Sequence, residues 1–212
     1  MGIPPSIYII GAQCTGKTTL VEDLRSHIVQ HQVGQHSRLH TITEVARSVL
    51  RDHDFTREDL AKPDRAMKLQ RLILDAQLKA ENHTEGTILS DRSGLDPLVY
   101  AAKCGPPGGL ASIMASPTWE TLKGRMRRSL VILCPPRADW LYDDGIRLMA
   151  EDWDDWEDTH RVFQKLLGDC HIRYHLIPNS ISSPSDRVKF VLTLWHQMTS
   201  PLRPPLSQQN PR

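Results

Sequence analysis

Gly11, Gly16, Lys17 and Thr18 stand in the spacing Gly-x4-Gly-Lys-Thr. Two glycines bracketing four residues let the backbone turn so that successive N–H groups point inward, forming a nest for an anion with several oxygens. The lysine then supplies a charge for the phosphates, and the threonine a hydroxyl for a hard cation. The loop so defined comprises Gly11, Ala12, Gln13, Cys14, Thr15, Gly16, Lys17, Thr18 and Thr19, with Cys14 as a small filler. At an average glycine frequency of about 7%, this pattern arises by chance in such a chain on the order of once in a hundred. It therefore predicts a phosphate-binding loop for a nucleoside triphosphate, expected to be ATP, and its Mg²⁺.

Further charged positions are candidates to act on the same phosphates. Asp91, followed by Arg92, ends the apolar stretch Thr87-Ile-Leu-Ser90. A carboxylate there can hold Mg²⁺ through water or take a proton from an attacking hydroxyl, and the arginine can clamp phosphate or substrate. The plainer reading of the pair is a helix cap and a surface ion pair. Glu44 falls where a second strand gives way to a helix, as a base or magnesium-shell residue, or simply as a first-turn acid facing the helix dipole. Arg47, one turn on, pairs with it on the same face. Asp143-Asp144-Gly145-Ile146-Arg147 lies in an irregular stretch. There Arg147, on a lid, would neutralise the charge of a transferring phosphoryl group; a solvated loop is the rival. The candidate catalytic set is thus Lys17, Glu44, Asp91, Arg92 and Arg147, and the metal set Thr18 and Asp91. His27 and His31 lie at i, i+4 without a third ligand, and Gly124-Arg-Met-Arg-Arg128 reads as a solvated helix end.

The elements that must position these groups follow from hydrophobic period. Ile7-Tyr-Ile-Ile10 reads as a buried strand leading into the glycine loop, followed by a helix from Lys17 to about Gln30 with Leu20, Val21, Leu24 and Ile28 on one face. A strand near Leu39–Thr43 precedes a helix bearing Arg47 and Leu50, and Asp64–Asn82 is a long amphipathic helix with Leu69, Leu72, Ile73 and Ala76 as its expected buried stripe. Strands are expected at Thr87–Ser90, Leu130–Leu133 and near Arg173–Ile177; helices at Asp96–Lys103, less regularly over Leu110–Arg128, and at Trp156–Leu167. Ser183-Pro-Ser-Asp186 is a helix start, with Val188, Val191, Leu192 and Trp195 as the stripe that follows. Residues of about 137–155 are acidic, aromatic and aperiodic, the expected lid, and 200–212 are a Pro-rich tail expected to be disordered. One domain is expected over residues 1–199. Alternating strands and helices imply right-handed crossovers and a parallel sheet covered on both faces, an α/β/α sandwich. Ligands of such sheets sit at the carboxyl ends of the strands, where the loop, Glu44 and Asp91 all fall.

Composition narrows the function classes. The 212 residues carry 39% hydrophobic and 24% charged side chains and a formal charge of +1. That charge sets up no whole-molecule field for nucleic acid, so a nucleic-acid partner is not expected. No apolar run approaches a membrane span, so no membrane insertion is expected. Met1-Gly2-Ile-Pro-Pro-Ser6 matches the myristoylation pattern formally, but reads better as a short extended leader. Cys14, Cys104, Cys134 and Cys170 form no CxxC pair, which fits a reducing, cytoplasmic setting.

The Asn-Lys-x-Asp signature of GTPases is absent, and so is the long acidic strand of a motor ATPase. A small kinase fits better. Gly11-x4-Gly-Lys-Thr18, Thr43-Glu-Val-Ala-Arg47, Ser90-Asp-Arg-Ser93 with Asp96 and Tyr100, and Asp144-Gly-x-Arg147 occur in that order. In this combination, across roughly residues 6–195, the chain resembles the NadR-like AAA-domain family, related to the ribosylnicotinamide kinase domain of a bacterial NAD-biosynthesis regulator. The resemblance implies a P-loop kinase fold of five parallel strands in the order 2-3-1-4-5, magnesium-ATP binding, and a lid bearing Arg147. It also supports Glu44, Asp91 and Arg92 as site residues. The expectation is a kinase that moves the γ-phosphoryl group of ATP to a small, nucleoside-like acceptor. The alternative is a nucleotide switch that binds ATP or GTP and a protein or lipid partner.

Overall fold

The computed structural model describes residues 4–31, 39–43, 45–137 and 153–199. Glu44, the lid residues 138–152 with Arg147, and the tail 200–212 lie outside the described residues, so the expectations placed on them carry no structural description.

The strand Ile7–Ile10 (β1) is buried along its whole length. A strand with no solvent face must be covered on both sides, and its side chains alternate between two cores. Tyr8 and Ile10 enter one core, with Leu74, Leu98, Trp119, Val131 and Phe163. Ile7 and Ile9 enter the other, with Leu24, Ile28, Ile132, Val191 and Trp195. At about 1.5–3 kcal/mol for each large apolar side chain removed from water, these two layers dominate the folding energy.

Strands Leu39–Ile42 (β2), Thr87–Asp91 (β3), Leu130–Leu133 (β4) and His175–Leu176 (β5) complete a five-stranded sheet in the order β2-β3-β1-β4-β5. Every pairing is parallel, with Ile7 opposite both Leu89 and Leu130. This is the order implied by the family resemblance. One face is covered by Lys17–His31 (α1) and Pro184–Thr199 (α9). Residues of Pro63–Asn82 (α4), Leu95–Cys104 (α5), Gly109–Met114 (α6), Pro117–Met126 (α7) and Trp153–Asp169 (α8) build the core against the other face. Val45–Asp52 (α2) and the short Arg57–Leu60 (α3) precede α4. The start of α9 is as read: the Ser183 hydroxyl accepts from the Asp186 amide at 3.1 Å, with Pro184 at the first position.

Three expectations need correction. The helix expected at about Trp156–Leu167 begins at Trp153 and continues to Asp169, longer at both ends. The stretch 110–128 is two helices divided at Ser116, whose hydroxyl caps α7 by accepting from the Trp119 amide at 3.2 Å. In α4 the buried face is not Leu69-Leu72-Ile73-Ala76. Of these only Leu69 is buried, and the interior stripe continues through Gln70, Leu74, Gln77 and Glu81. Polar residues can sit there because the interior supplies partners. Glu81 accepts from the Tyr8 hydroxyl at 3.0 Å, from Arg125 at 3.1 Å and from the Gln77 amide at 3.0 Å.

The four cysteines are free thiols. Among the described residues no helix is long and apolar enough to cross a membrane.

Candidate functional site

The loop after β1 departs from ordinary backbone at three residues: Gly11 (φ 140°), Cys14 (φ 54°) and Gly16 (φ 70°). At Gly11 a Cβ would stand 2.6 Å from the carbonyl oxygen of Cys134, so only glycine fits this approach of the loop to the end of β4. Cys14 pays the left-handed strain that a glycine would avoid, a feature often found at functional turns. The loop then enters α1, whose first turn holds no acidic residue. The positive end of the helix is therefore left to the ligand.

Three residues distant in sequence brace the loop from outside. The Trp156 indole N–H donates to the Gln13 carbonyl at 2.8 Å, and Arg187 donates to the Thr15 carbonyl at 3.1 Å. The Tyr100 hydroxyl donates to the Gln13 side-chain oxygen at 3.0 Å. Trp156 is fully buried, against Ala12 and beside Cys14.

Lys17 is only 5% exposed. Its ammonium donates to the Ala12 carbonyl and, at 3.3 Å, to the Thr15 hydroxyl. Burial above all, and then the positive Arg92, push the ammonium pKa down to about 8, against the pull of Asp91 and Asp96. A buried cation held mainly by neutral oxygens has unused attraction for an anion.

Asp91 is the last residue of β3, level with Ile9 of β1. Its Oδ2 accepts from the Thr18 hydroxyl at 2.6 Å. Its Oδ1 is buried and has no hydrogen-bond partner among the described residues. The following residue, Arg92, takes φ 83°, rare for a non-glycine residue, while its amide donates to the Ile9 carbonyl at 2.9 Å. Its guanidinium meets Asp96 at 3.2 Å. Asp96 also accepts from the Ser93 amide at 2.9 Å and hydroxyl at 3.1 Å. Burial raises the Asp96 acid, with Arg92 and Lys17 opposing. Burial likewise disfavours the Arg92 charge, but Tyr100, Asp96 and Asp91 outweigh it and hold the guanidinium protonated.

Two adjoining concavities open from this ring. A cleft of about 960 Å³ runs along the phosphate loop, lined among others by Lys17, Thr18, Arg47, Asp91, Arg92 and Arg187. A smaller cavity of about 100 Å³ lies beneath α2, α4 and α5. Ala46, Leu50 and Arg92 border both. The smaller one is walled mainly by apolar side chains such as Val45, Leu69, Ile73 and Pro97, with Gln70, Gln77, Asp96 and Tyr100 among its polar residues.

The structure thus brings together the expected loop, Lys17, Thr18, Asp91 and Arg92; the expected Glu44 and Arg147 lie outside the described residues. Sequence reasoning did not find Arg187 or the bracing role of Trp156, and Asp96 and Tyr100 entered only through the resemblance. Nothing near residue 187 marks it, since an arginine beside an apolar helical stripe ordinarily faces water. The Trp153-Asp-Asp-Trp156 stretch, in an acidic and aromatic run, carries no local mark of a brace on the loop.

Among solved structures, NadR protein in complex with NR matches with a TM-score of 0.70 and 16% identity, over 96% of this chain and 54% of that one. The chain therefore spans about half the length of that protein. Deoxyadenosine kinase from M. mycoides, solved with products dCMP and dCDP, gives 0.63 at 14% identity over 91% of this chain and 98% of its own. Shikimate kinase from Acinetobacter baumannii in complex with shikimate gives 0.54 at 14% identity, over 92% and 94% of the two chains. At such identities these likenesses establish the fold, a three-layer P-loop kinase fold. No curated protein sequence matches. The family model described as an AAA domain matches residues 6–184, and with most of its length inside that match the chain belongs to this AAA-domain family of P-loop proteins.

Proposed function

We propose that the protein is a magnesium- and ATP-dependent kinase that phosphorylates a hydroxyl of a small, nucleoside-like acceptor. The observation that carries this reading is the second cavity. A protein that only bound a nucleotide would need the phosphate cleft; here a mostly apolar pocket adjoins it, with Arg92 in the wall of both. The NadR, deoxyadenosine kinase and shikimate kinase structures, solved with NR, with dCMP and dCDP, and with shikimate, supply the analogy.

In this reading the loop amides of residues 11–19 and Lys17 hold the β- and γ-phosphates, and Arg187 keeps the loop in shape. Thr18 and Asp91 fit a magnesium ion: both offer hard oxygen, and the buried Oδ1 of Asp91 lacks a partner. Among the described residues no group of three or more His, Cys, Asp or Glu could hold a metal by itself. That suits a cation which takes its other ligands from phosphate and water. Magnesium would supply charge neutralisation across the phosphates. The acceptor oxygen attacks the γ-phosphorus, forming one O–P bond as the bond to the β-phosphate oxygen breaks and ADP leaves. With Asp91 committed to Thr18, the acceptor proton goes to Glu44. Arg92 and Arg147, the latter on a lid of about residues 137–155, offset the equatorial charge. The catalytic unit spans residues 1–199.

The test is ADP release with ATP, Mg²⁺ and a panel of ribosides, deoxyribosides, nicotinamide riboside and cyclic polyols. At least one acceptor should raise turnover well above the acceptor-free rate, and Lys17→Ala should abolish the rise while the fold survives. A response equally flat across the panel would refute the kinase and favour the nucleotide switch.

A further inference from the structure

The polar groups in the smaller cavity are not arranged at random. Gln77 lines it, yet its amide nitrogen is committed elsewhere, donating to Glu81 at 3.0 Å and to the Ser90 hydroxyl at 3.3 Å. Glu81 fixes this orientation. Its carboxylate accepts three hydrogen bonds, from Tyr8, Arg125 and Gln77, and its side chain is wholly buried. A flipped Gln77 would set two acceptor oxygens against each other in the interior. The remaining polar atom of Gln77, its Oε1, can therefore act only as an acceptor.

Two helical turns earlier, Gln70 lines the same cavity. It is 5% exposed, and its amide makes no hydrogen bond to any described residue. A largely buried primary amide that lines a cavity and meets no described partner is placed to bond whatever occupies that cavity. No lysine lines the cavity, and its one arginine, Arg92, is engaged with Asp96 at 3.2 Å. An anionic end group would therefore find no free cation there. The surrounding wall is apolar, and about 100 Å³ is the scale of a single six-membered ring; a cavity on the order of 150 Å³ takes benzene.

We propose that Gln70, with the fixed acceptor Oε1 of Gln77, reads an uncharged amide edge on the acceptor: a hydrogen-bond donor beside an acceptor on a one-ring group. A carboxamide on a six-membered ring and the edge of a pyrimidine base share this chemistry. Gln70 is then a specificity residue of the kinase reading, and the inference rests on that reading only for the acceptor's being the occupant.

The experiment pairs turnover with direct binding. Wild type, Gln70→Leu and Gln70→Glu, all loaded with a non-hydrolysable ATP analogue, are titrated calorimetrically with cytidine, uridine, nicotinamide riboside, 1-deoxyribose and shikimate. Turnover is measured with the same compounds and ATP. Compounds with an amide edge should bind and react, and 1-deoxyribose and shikimate should not. Gln70→Leu should weaken the amide-edged compounds about ten- to a hundredfold in affinity and in kcat/KM, with the KM for ATP unchanged. Preference for cytidine and uridine over nicotinamide riboside would assign the base edge, and the reverse the carboxamide. If binding depends on Gln70 but nothing turns over, the kinase reading fails and the recognition stands. Turnover or binding indifferent to Gln70→Leu overturns the inference and spares the kinase; absence of binding by every amide-edged compound overturns it as well.

Discussion

Replacing Lys17 by methionine should abolish nucleotide binding and yet make the ligand-free protein more stable. Methionine keeps the unbranched shape and removes the charge. The ammonium falls from its ordinary 10.5 to about 8 on folding, chiefly because it is buried. At about 1.36 kcal/mol per unit, folding against this proton costs roughly 3 kcal/mol at neutral pH. Set against that is the loss of the contacts to Ala12 and Thr15. The Ala12 carbonyl keeps a partner, because the Thr15 hydroxyl donates to it at 2.9 Å, so this loss is about 1 kcal/mol. The net gain of roughly 2 kcal/mol corresponds to a Tm rise of about 4–8 °C for a chain of this size.

The sign of the pH dependence follows from linkage. The folded pKa lies below the unfolded one, so the penalty is fully present below about 8 and fades as pH rises through 8 to 10.5. The stability gap between Lys17→Met and wild type should therefore be widest at pH 7 and shrink towards pH 10. Groups common to both proteins cancel in that difference. The assay is denaturant and thermal unfolding of the ligand-free proteins across this range, repeated with ATP and Mg²⁺. Nucleotide should stabilise only the wild type. A Lys17→Met protein no more stable than wild type at pH 7, or a gap that does not narrow with pH, would refute the reasoning that Lys17 is an under-neutralised charge awaiting phosphate.

Two further substitutions probe the ring around it. Asp91→Asn keeps the shape beside Thr18 but removes the charge; magnesium should no longer strengthen nucleotide binding, read by calorimetry with and without Mg²⁺, and phosphoryl transfer should fall at least about a hundredfold. An undiminished magnesium effect would exclude Asp91 as its partner. Trp156→Phe leaves the Gln13 carbonyl without its indole donor, which should lower stability by about 1–3 kcal/mol and loosen nucleotide binding, measured by urea unfolding and titration. Unchanged values for both would show that the brace is idle.

The parts of the fold that the sequence made legible are those governed by local period. Ile7–Ile10 alternates between two cores and could only be a central strand, and Ser183-Pro184 with Asp186 spells out its own helix start. The phosphate loop was legible because its glycines are demanded by backbone geometry, as the 2.6 Å approach at Gly11 shows. What periodicity missed was burial of polar side chains. In α4 it selected Leu72, Ile73 and Ala76, whereas the interior holds Gln70, Gln77 and Glu81. Hydropathy assigns glutamine and glutamate to water unless their partners are known, and those partners, Tyr8, Ser90 and Arg125, are strewn over more than a hundred residues of sequence. Arg187 was missed for the same reason, its acceptor being the carbonyl of Thr15.

These long-range contacts form one connected path rather than separate embellishments. Lys103 of α5 holds the first two turns of α8 through Asp155 at 2.5 Å and Thr159 at 2.7 Å. From the first of these Trp156 grips the Gln13 backbone, and the Gln13 side chain accepts from Tyr100, whose hydroxyl lies in the field of Arg92. Arg92 borders both concavities. In chain order α8 directly follows residues 138–152. A displacement of Trp156 would move Gln13, whose backbone belongs to the phosphate loop and whose side chain lines the smaller cavity. The expectation is that Gln13 couples occupancy of one concavity to the other. Gln13→Leu, which keeps the carbonyl but removes the amide, should leave each ligand able to bind alone while weakening the cooperativity between nucleotide and acceptor. Calorimetric titration of the acceptor with and without the ATP analogue measures that coupling directly, and coupling as strong as in wild type would show that the path through Gln13 carries nothing.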